Sequence, residues 1–222
     1  MTDLTNFKKT FKNKDLLDQA LTHKSWVNEH PNVRGTNERL EFLGDAVLEF
    51  VVSQYLFKEF PEKEEGFLTA LRANLVNTVN LSEVAKELGM GSHIYLSKGE
   101  EDTGGRTNTS LLADTVEAVI GSIFMDRGLV PAQEFIHENI LVKLPDMIKK
   151  PLKDAKSMLQ EVVQAKSLPT PKYVVAGESG PDHAKIFIIE VIIDGKSMAK
   201  GEGKSKAEAE QDAASTALKK FL

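Results

Sequence analysis

Apolar residues recur at three- and four-residue intervals through the first two thirds of the chain, the spacing that gathers them on one helix face. The pattern predicts helices over Leu16–Thr22, Asn37–Phe57, Phe67–Asn80, Leu81–Leu88, Leu111–Asp126 and Pro131–Ile148. Pro31, Pro61, Gly66, Gly89 and Gly91 punctuate them, as does the polar stretch Ser97–Thr109, which holds Gly99, Gly104 and Gly105. After Lys149-Lys150-Pro151 the pattern changes. Asp154–Lys166 is amphipathic, and Lys172–Ala176, Ala184–Ile193 and Lys196–Lys200 are short β-prone runs. Asp194-Gly195 between the last two is a two-residue hairpin signal. Ser205–Phe221 is Ala-rich and helical. The order predicts two domains, an all-α unit over 1–149 and an α-β-β-β-α unit over 150–222.

Composition narrows the class. With 41% hydrophobic and 27% charged residues in 222, the chain is an ordinary globular mixture. It has no Cys, which excludes disulfides, Fe–S clusters, thiol nucleophiles and cysteine-bearing zinc sites. No apolar run approaches the ~18–20 residues of a membrane span, and Met1–Lys12 lacks the apolar core of a signal peptide, so a cytoplasmic protein without a membrane is expected. The net charge of −5 argues at first against a polyanion partner. Its distribution weakens that objection. Residues 1–150 hold 17 basic and 23 acidic residues, residues 151–222 hold 11 and 10, and Lys196–Lys206 has four lysines and one Glu.

The candidate chemistry lies in the acidic half. On a helix, Glu38, Glu41, Asp45 and Glu49 fall within one arc of roughly 80°. Leu40, Phe42, Leu43, Val47, Leu48, Phe50, Val51 and Val52 take nearly all the rest, and a helix apolar almost all round is normally buried. Carboxylates lined up on it repel one another unless a cation intervenes, and such oxygen ligands suit Mg²⁺. A second helix, Leu111–Phe124, places Asp114 and Glu117 three apart in an apolar setting. Gly44 and Gly121 lie inside these helices, where each costs about 1 kcal/mol relative to Ala. Close approach of the two helices would compensate and bring the acidic faces together. The residues alone thus indicate a divalent-metal enzyme with an unspecified substrate, against the plainer alternative of solvated acidic faces.

The segment Asn37–Leu48, NERLEFLGDAVL, resembles the signature of the ribonuclease III family. Leu21-Thr-His-Lys-Ser, Glu65-Gly-Phe-Leu-Thr-Ala-Leu-Arg-Ala-Asn-Leu-Val, Lys98-Gly-Glu-Glu, Gly104-Gly-Arg and Leu112-Ala-Asp-Thr-Val-Glu-Ala-Val-Ile-Gly continue the match in register. The second domain is similar to a double-stranded-RNA-binding domain, so the resemblance covers nearly the whole chain. It implies a ribonuclease III endonuclease domain followed by that RNA-binding domain. It also implies Mg²⁺-dependent hydrolysis of double-stranded RNA to 5′-phosphate and 3′-hydroxyl ends, processing rRNA precursors and other structured RNAs. Glu41, Asp45, Asp114 and Glu117 match the carboxylates that bind Mg²⁺ and build the catalytic site, with Glu38 and Glu65 as auxiliary acids, Glu65 acting across a subunit boundary. A homodimer is implied, with Phe42 at its interface. Glu49 is expected to be structural, Arg39 to form a salt bridge, and His23 and Ser25 to serve in the core or as caps.

In the second domain, Ser157, Gln160 and Glu161 on the first helix could reach ribose hydroxyls, and His183 sits in the loop that relatives insert into a minor groove. Lys204 and Lys206 open the last helix, where its positive end assists contact with phosphates. Such a domain reads A-form shape over ~16 base pairs. Most relatives carry a second basic residue where this chain has Ala207. Two alternatives stand beside this reading. One is a non-cleaving double-stranded-RNA-binding protein of the same fold, and the other a helical phosphohydrolase acting on a small nucleotide.

Overall fold

Side chains of Asn13, Asn77, Ser97, Asn108, Asp154 and Ser205 accept first-turn N–H groups and mark where their helices begin. In the computed structural model, which describes residues 7–149, 152, 154–181 and 185–221, the chain divides into two compact units, residues 1–152 and 153–222. The first contains α1 (Lys14–Ala20), α2 (Lys24–Glu29), α3 (Glu38–Glu59), α4 (Glu65–Val76), α5 (Thr78–Glu87), α6 (Lys98–Asp102), α7 (Thr109–Arg127), α8 (Leu129–Asn139) and α9 (Leu144–Ile148). The expected helix Phe67–Asn80 is in fact two. Asn77 is extended, ends α4, and accepts the Asn80 N–H to cap α5. The expected Pro131–Ile148 is likewise broken. Pro145 has no N–H to continue a ladder and its ring crowds the preceding turn, so it starts α9 instead. The short helices α2 and α6 lack a full period of apolar residues, so periodicity does not predict them.

Helices α3 and α7 form the centre of the first unit. Leu48, Val52 and Leu56 of α3, with Val116, Val119, Ile120 and Ile123 of α7, are almost wholly excluded from solvent. Their crossing is unusually close. A Cβ on Gly44 would lie 1.7 Å from the Glu117 carbonyl oxygen, and one on Gly121 would lie 2.1 Å from that of Leu40. Both glycines are therefore required by backbone contact.

An extended segment ahead of α2 is tied to Tyr95 and to the residue preceding α3. Thr22 forms an isolated parallel bridge with Tyr95. His23 N–H donates to the Tyr95 carbonyl (3.1 Å), Tyr95 N–H to that of Leu21 (2.8 Å), and Asn37 N–H to that of Thr22 (2.9 Å).

The second unit runs α10 (Ala155–Ala165), β1 (Lys172–Ser179), β2 (Ile186–Ile193), β3 (Lys196–Gly203) and α11 (Lys206–Leu218), with an antiparallel sheet in the order β1-β2-β3. Asp194 (φ 51°) and Gly195 (φ 72°) make the hairpin, both left-handed as a type I′ turn requires. Ile189, Val191 and Ile193 face the helices and bury against Leu159, Val163, Ala209, Ala213 and Ala217. The expected linker residues Lys150 and Pro151 lie outside the described residues.

Asp154 caps α10 and joins it to α11. It accepts from Ser157 N–H (3.1 Å), Ser157 Oγ (2.7 Å) and Gln211 Nε2 (2.8 Å). The Gln211 bond and those from Ser157 hold its carboxyl down to about 2. A folded pKa below the unfolded value means that its stabilisation is present above about pH 4 and lost as pH falls towards 2. Asp154→Ala is expected to cost about 1 kcal/mol at pH 7 in denaturant unfolding. The gap from the unmodified chain should close near pH 2.

Candidate metal centre and RNA-binding surface

Two turns of α3 and one of α7 supply the acidic groups. One oxygen from each of Glu41, Asp114 and Glu117 can be chosen such that all three lie within 4.8 Å of one another. Each residue is half-buried. An octahedral Mg²⁺ with bonds of ~2.1 Å spans ligand oxygens about 3–4 Å apart, so small rotamer changes would fit this trio to it. The electrostatics point the same way. Glu117 is pushed up to about 8, first by burial and then by the charges of Asp45, Asp114 and Glu41. Glu41 is raised by burial, then by Asp114 and Glu38. Asp114 is raised by burial, partly offset by the positive charges of His23 and Lys24. Three crowded acids that resist ionisation alone are suited to a divalent cation, which neutralises two charges at once. The donor set, all hard oxygens, suits Mg²⁺ rather than a thiolate-seeking metal.

The other predicted acids sit around this trio. Asp45, one turn beyond Glu41, is exposed and acts on Glu117 through its charge. Glu38 pairs with Lys24 (3.6 Å) and accepts from Thr36 Oγ1 (3.1 Å). Glu49 turns away to Arg72 (3.1 Å), in keeping with a structural role. Arg39 does not form the expected salt bridge among the described residues; it is exposed, with Glu38 and Glu49 of α3 paired elsewhere. Asn37 is buried but its side chain makes no cap bond, and its main chain carries the link to Thr22. His23 is a cap, its Nδ1 accepting from Ser25 N–H. Burial lowers its pKa, against the charges of Glu100, Asp114 and Glu38 that raise it.

The expectation that α3 is buried all round fails at three phenylalanines. Phe42 is 81% exposed, Phe57 74% and Phe50 52%. They lie within roughly 80° of one another around the helix. At Phe57 is a cavity of about 170 Å³, lined also by Ser53, Leu56, Glu65, Leu68, Thr69 and Arg72. Glu65 is exposed and accepts from Thr69 Oγ1 (2.8 Å). Hydrophobicity alone could not separate these rings from core; their shared face was the available signal.

In the second unit, Ser157, Gln160 and Glu161 are exposed on α10, with the Ser157 hydroxyl engaged by Asp154. Lys204 and Lys206 are exposed at the start of α11, and the Lys206 ammonium lies 5.8 Å from the centre of the Phe187 ring. Ser205 accepts the Glu208 N–H, and Glu208 accepts the Lys204 N–H, a reciprocal cap that sets the direction of both lysines' backbone. His183 lies outside the described residues.

An acidic pair of crossed helices followed by a basic-tipped α-β-β-β-α module defines a nuclease joined to a duplex-RNA-binding unit. Residues 13–144 match the Ribonuclease-III-like family and residues 155–221 the double-stranded RNA binding motif. The chain is 48% identical to Ribonuclease 3 of Geobacillus sp. (strain WCH70), the match covering 95% of this chain and 86% of that one. It is 46% identical to Ribonuclease 3 of Sulfurovum sp. (strain NBC37-1), covering 94% and 92%. Among solved structures, the nuclease domain of ribonuclease III from Campylobacter jejuni superposes with a TM-score of 0.58 at 40% identity, covering 65% of this chain and 98% of that one. A second Campylobacter jejuni structure, concerned with flexibility in a region of dimer formation, gives 0.54 at 44% identity, covering 59% and 91%. This chain belongs to the ribonuclease III family. It is an endoribonuclease with a double-stranded-RNA-binding domain, and no helix among the described residues is long and apolar enough to cross a membrane.

Proposed function

We propose that the chain is a Mg²⁺-dependent endoribonuclease that cuts double-stranded RNA to 5′-phosphate and 3′-hydroxyl ends. Residues 1–149 would carry cleavage and 150–222 duplex binding. The convergence of Glu41, Asp114 and Glu117 carries this reading, with Asp45, whose charge acts on Glu117, as the fourth ligand. Bound there, Mg²⁺ would supply an activated water and offset charge on the leaving 3′-oxygen. The four carboxylates would hold and orient the ion, and burial of Glu41, Asp114 and Glu117 would limit competing water. Glu38 would contact the scissile strand. No side-chain nucleophile is required, which fits a chain without Cys.

A single site cuts one strand, so staggered cutting of a duplex calls for two copies. The exposed Phe42 and the cavity holding Glu65 support a homodimer in which Phe42 contacts the partner and Glu65 completes its site. Cytoplasmic rRNA precursors and other structured RNAs are the proposed substrates.

The test is long duplex RNA incubated with and without Mg²⁺, with product ends identified and the oligomer sized by sedimentation equilibrium. Short products bearing 5′-phosphates, from a particle of two chains, are expected. Duplex bound but uncut with Mg²⁺ would favour the non-cleaving alternative.

Ser157, Gln160, Glu161, His183, Lys204 and Lys206 are the proposed RNA contacts. Lys206→Ala is expected to weaken duplex binding for all sequences alike and to reduce the salt slope of log K by about one. Binding measured from low to high salt checks this; an unchanged slope would remove Lys206 from the phosphate contacts.

A further inference from the structure

The starts of three helices are tied together beside the acidic trio. Asn37, which precedes α3, donates its N–H to the Thr22 carbonyl (2.9 Å), and His23, which precedes α2, donates its N–H to the Tyr95 carbonyl (3.1 Å). Ser97, which precedes α6, donates its N–H to Ser25 Oγ (3.0 Å). The first residues of these helices are Lys24, Glu38 and Lys98, and the bonds on their chain neighbours fix all of them in one junction. Glu38 stands one turn ahead of Glu41, a spacing that leaves about 5–6 Å between their Cβ atoms. The junction therefore borders the trio of Glu41, Asp114 and Glu117.

Both lysines of the junction keep their donors open. Lys24 Nζ lies 3.6 Å from Glu38 Oε1, beyond hydrogen-bonding distance, and its side chain is 63% exposed. Glu38 turns its other oxygen to Thr36 Oγ1 (3.1 Å). Lys98 is exposed. Among the described residues neither ammonium makes a hydrogen bond, and Lys98 has no ion pair. An exposed pair as long as that of Lys24 adds little to stability. What the lysines can change is the approach of RNA. Glu38, Glu41, Asp45, Asp114 and Glu117 crowd these turns of α3 and α7, and a divalent ion offsets only two of the charges they can carry. Such a surface repels a phosphate backbone unless cations at its border draw the strand in. Lysine meets phosphate as a point charge, without the fixed geometry an Arg fork demands.

We propose that Lys24 and Lys98 are phosphate contacts of the first unit, donating to the RNA strand on the Glu38 side of the acidic site so that the bond to be cut lies over Glu41, Asp114 and Glu117. The inference rests on reading those three acids as the cleavage site.

The decisive measurement is the salt dependence of duplex binding by the Glu117→Gln chain in Mg²⁺. Adding Lys24→Ala or Lys98→Ala should reduce the slope of log K against log salt by about one each. Lys86→Ala, which removes the same charge from an exposed position on α5, should leave the slope unchanged. In the cleaving chain each of the two lysine variants should raise KM for duplex about 10-fold, with kcat and the Mg²⁺ needed for half-maximal rate little changed. A contact made equally before and during the cut affects binding alone. Lys24→Arg should restore most of the loss. Lys24→Ala should still raise KM when Glu38 is already Gln; a loss that vanishes in that background would show that Lys24 only holds Glu38, and would overturn its assignment. Slopes unchanged in both lysine variants, or reduced as much by Lys86→Ala, would overturn the inference as a whole. An unmodified chain that leaves duplex intact at every Mg²⁺ concentration would overturn the functional reading instead, and the salt slopes would still decide the two lysines.

Discussion

Glu117→Gln is expected to abolish cleavage while leaving duplex binding intact. The change keeps the size of the side chain and removes its charge. Loss of groups that merely support metal ligands already costs 10–100-fold, so loss of a ligand at the centre of the trio should exceed about 100-fold. The same variant has an opposite signature in stability. Without metal, the folded chain holds the Glu117 proton up to about pH 8, whereas the unfolded chain releases it near the ordinary glutamate value. Between those values the folded state binds more protons, so stability falls as pH rises and stays reduced above the folded pKa. Gln never ionises. In chelator-treated protein, Glu117→Gln should therefore melt at a higher temperature than the unmodified chain at pH 8–9, by on the order of 2–5 °C, and at the same temperature near pH 4. Adding Mg²⁺ should raise the midpoint of the unmodified chain and much less that of the variant. Thermal scans at these pH values, alongside gel-based cleavage, check both halves. Normal cutting by Glu117→Gln at limiting Mg²⁺ would show that the carboxylate is not a ligand.

Gly44→Ala and Gly121→Ala should be the most destabilising single-methyl additions in the first unit. The added Cβ atoms would meet main-chain oxygens at 1.7 Å and 2.1 Å, where nothing flexible can yield. The helices must move apart by more than 1 Å, opening the packing around Leu48, Val116 and Ile120. A cost of roughly 3 kcal/mol or more is expected, at or above the upper end for overpacked cores. The separation also spreads Glu41 from Asp114 and Glu117, which stand on opposite helices. Variants that remain folded should thus lose Mg²⁺-induced stabilisation and cleavage together. Gly66→Ala is the control. It adds a methyl to α4 with nothing within 4 Å and should be neutral or slightly stabilising. Denaturant unfolding of the three variants, with and without Mg²⁺, measures the contrast.

Much of this could be read along the chain. Heptad-like spacing located α3 and α7 to within two residues at either end, because both are long and strongly apolar. The β-prone runs and Asp194-Gly195 located the sheet, because strand propensity and a left-handed turn are local properties. The acids Glu41, Asp114 and Glu117 stood out as charges on helices with no other polar face. Gly44 and Gly121 stood out as costs that needed a compensating contact. Pro145 and Asn77 break helices through which the apolar periodicity continues, so periodicity alone does not mark either break.

Local pattern alone thus determined the long helices and the sheet, and which helices carry acidic groups. Tertiary structure decided which of those groups act together. Glu38, Glu41, Asp45 and Glu49 are equivalent on a helical wheel, yet Lys24 engages one and Arg72 another, while α7 selects Glu41 for the trio. Only packing could reveal that Phe42, Phe50 and Phe57 face solvent and that His23 turns Nδ1 to Ser25. The physical reason is range. Propensity and periodicity act within a few residues, whereas partner choice depends on groups brought close by elements distant in the chain.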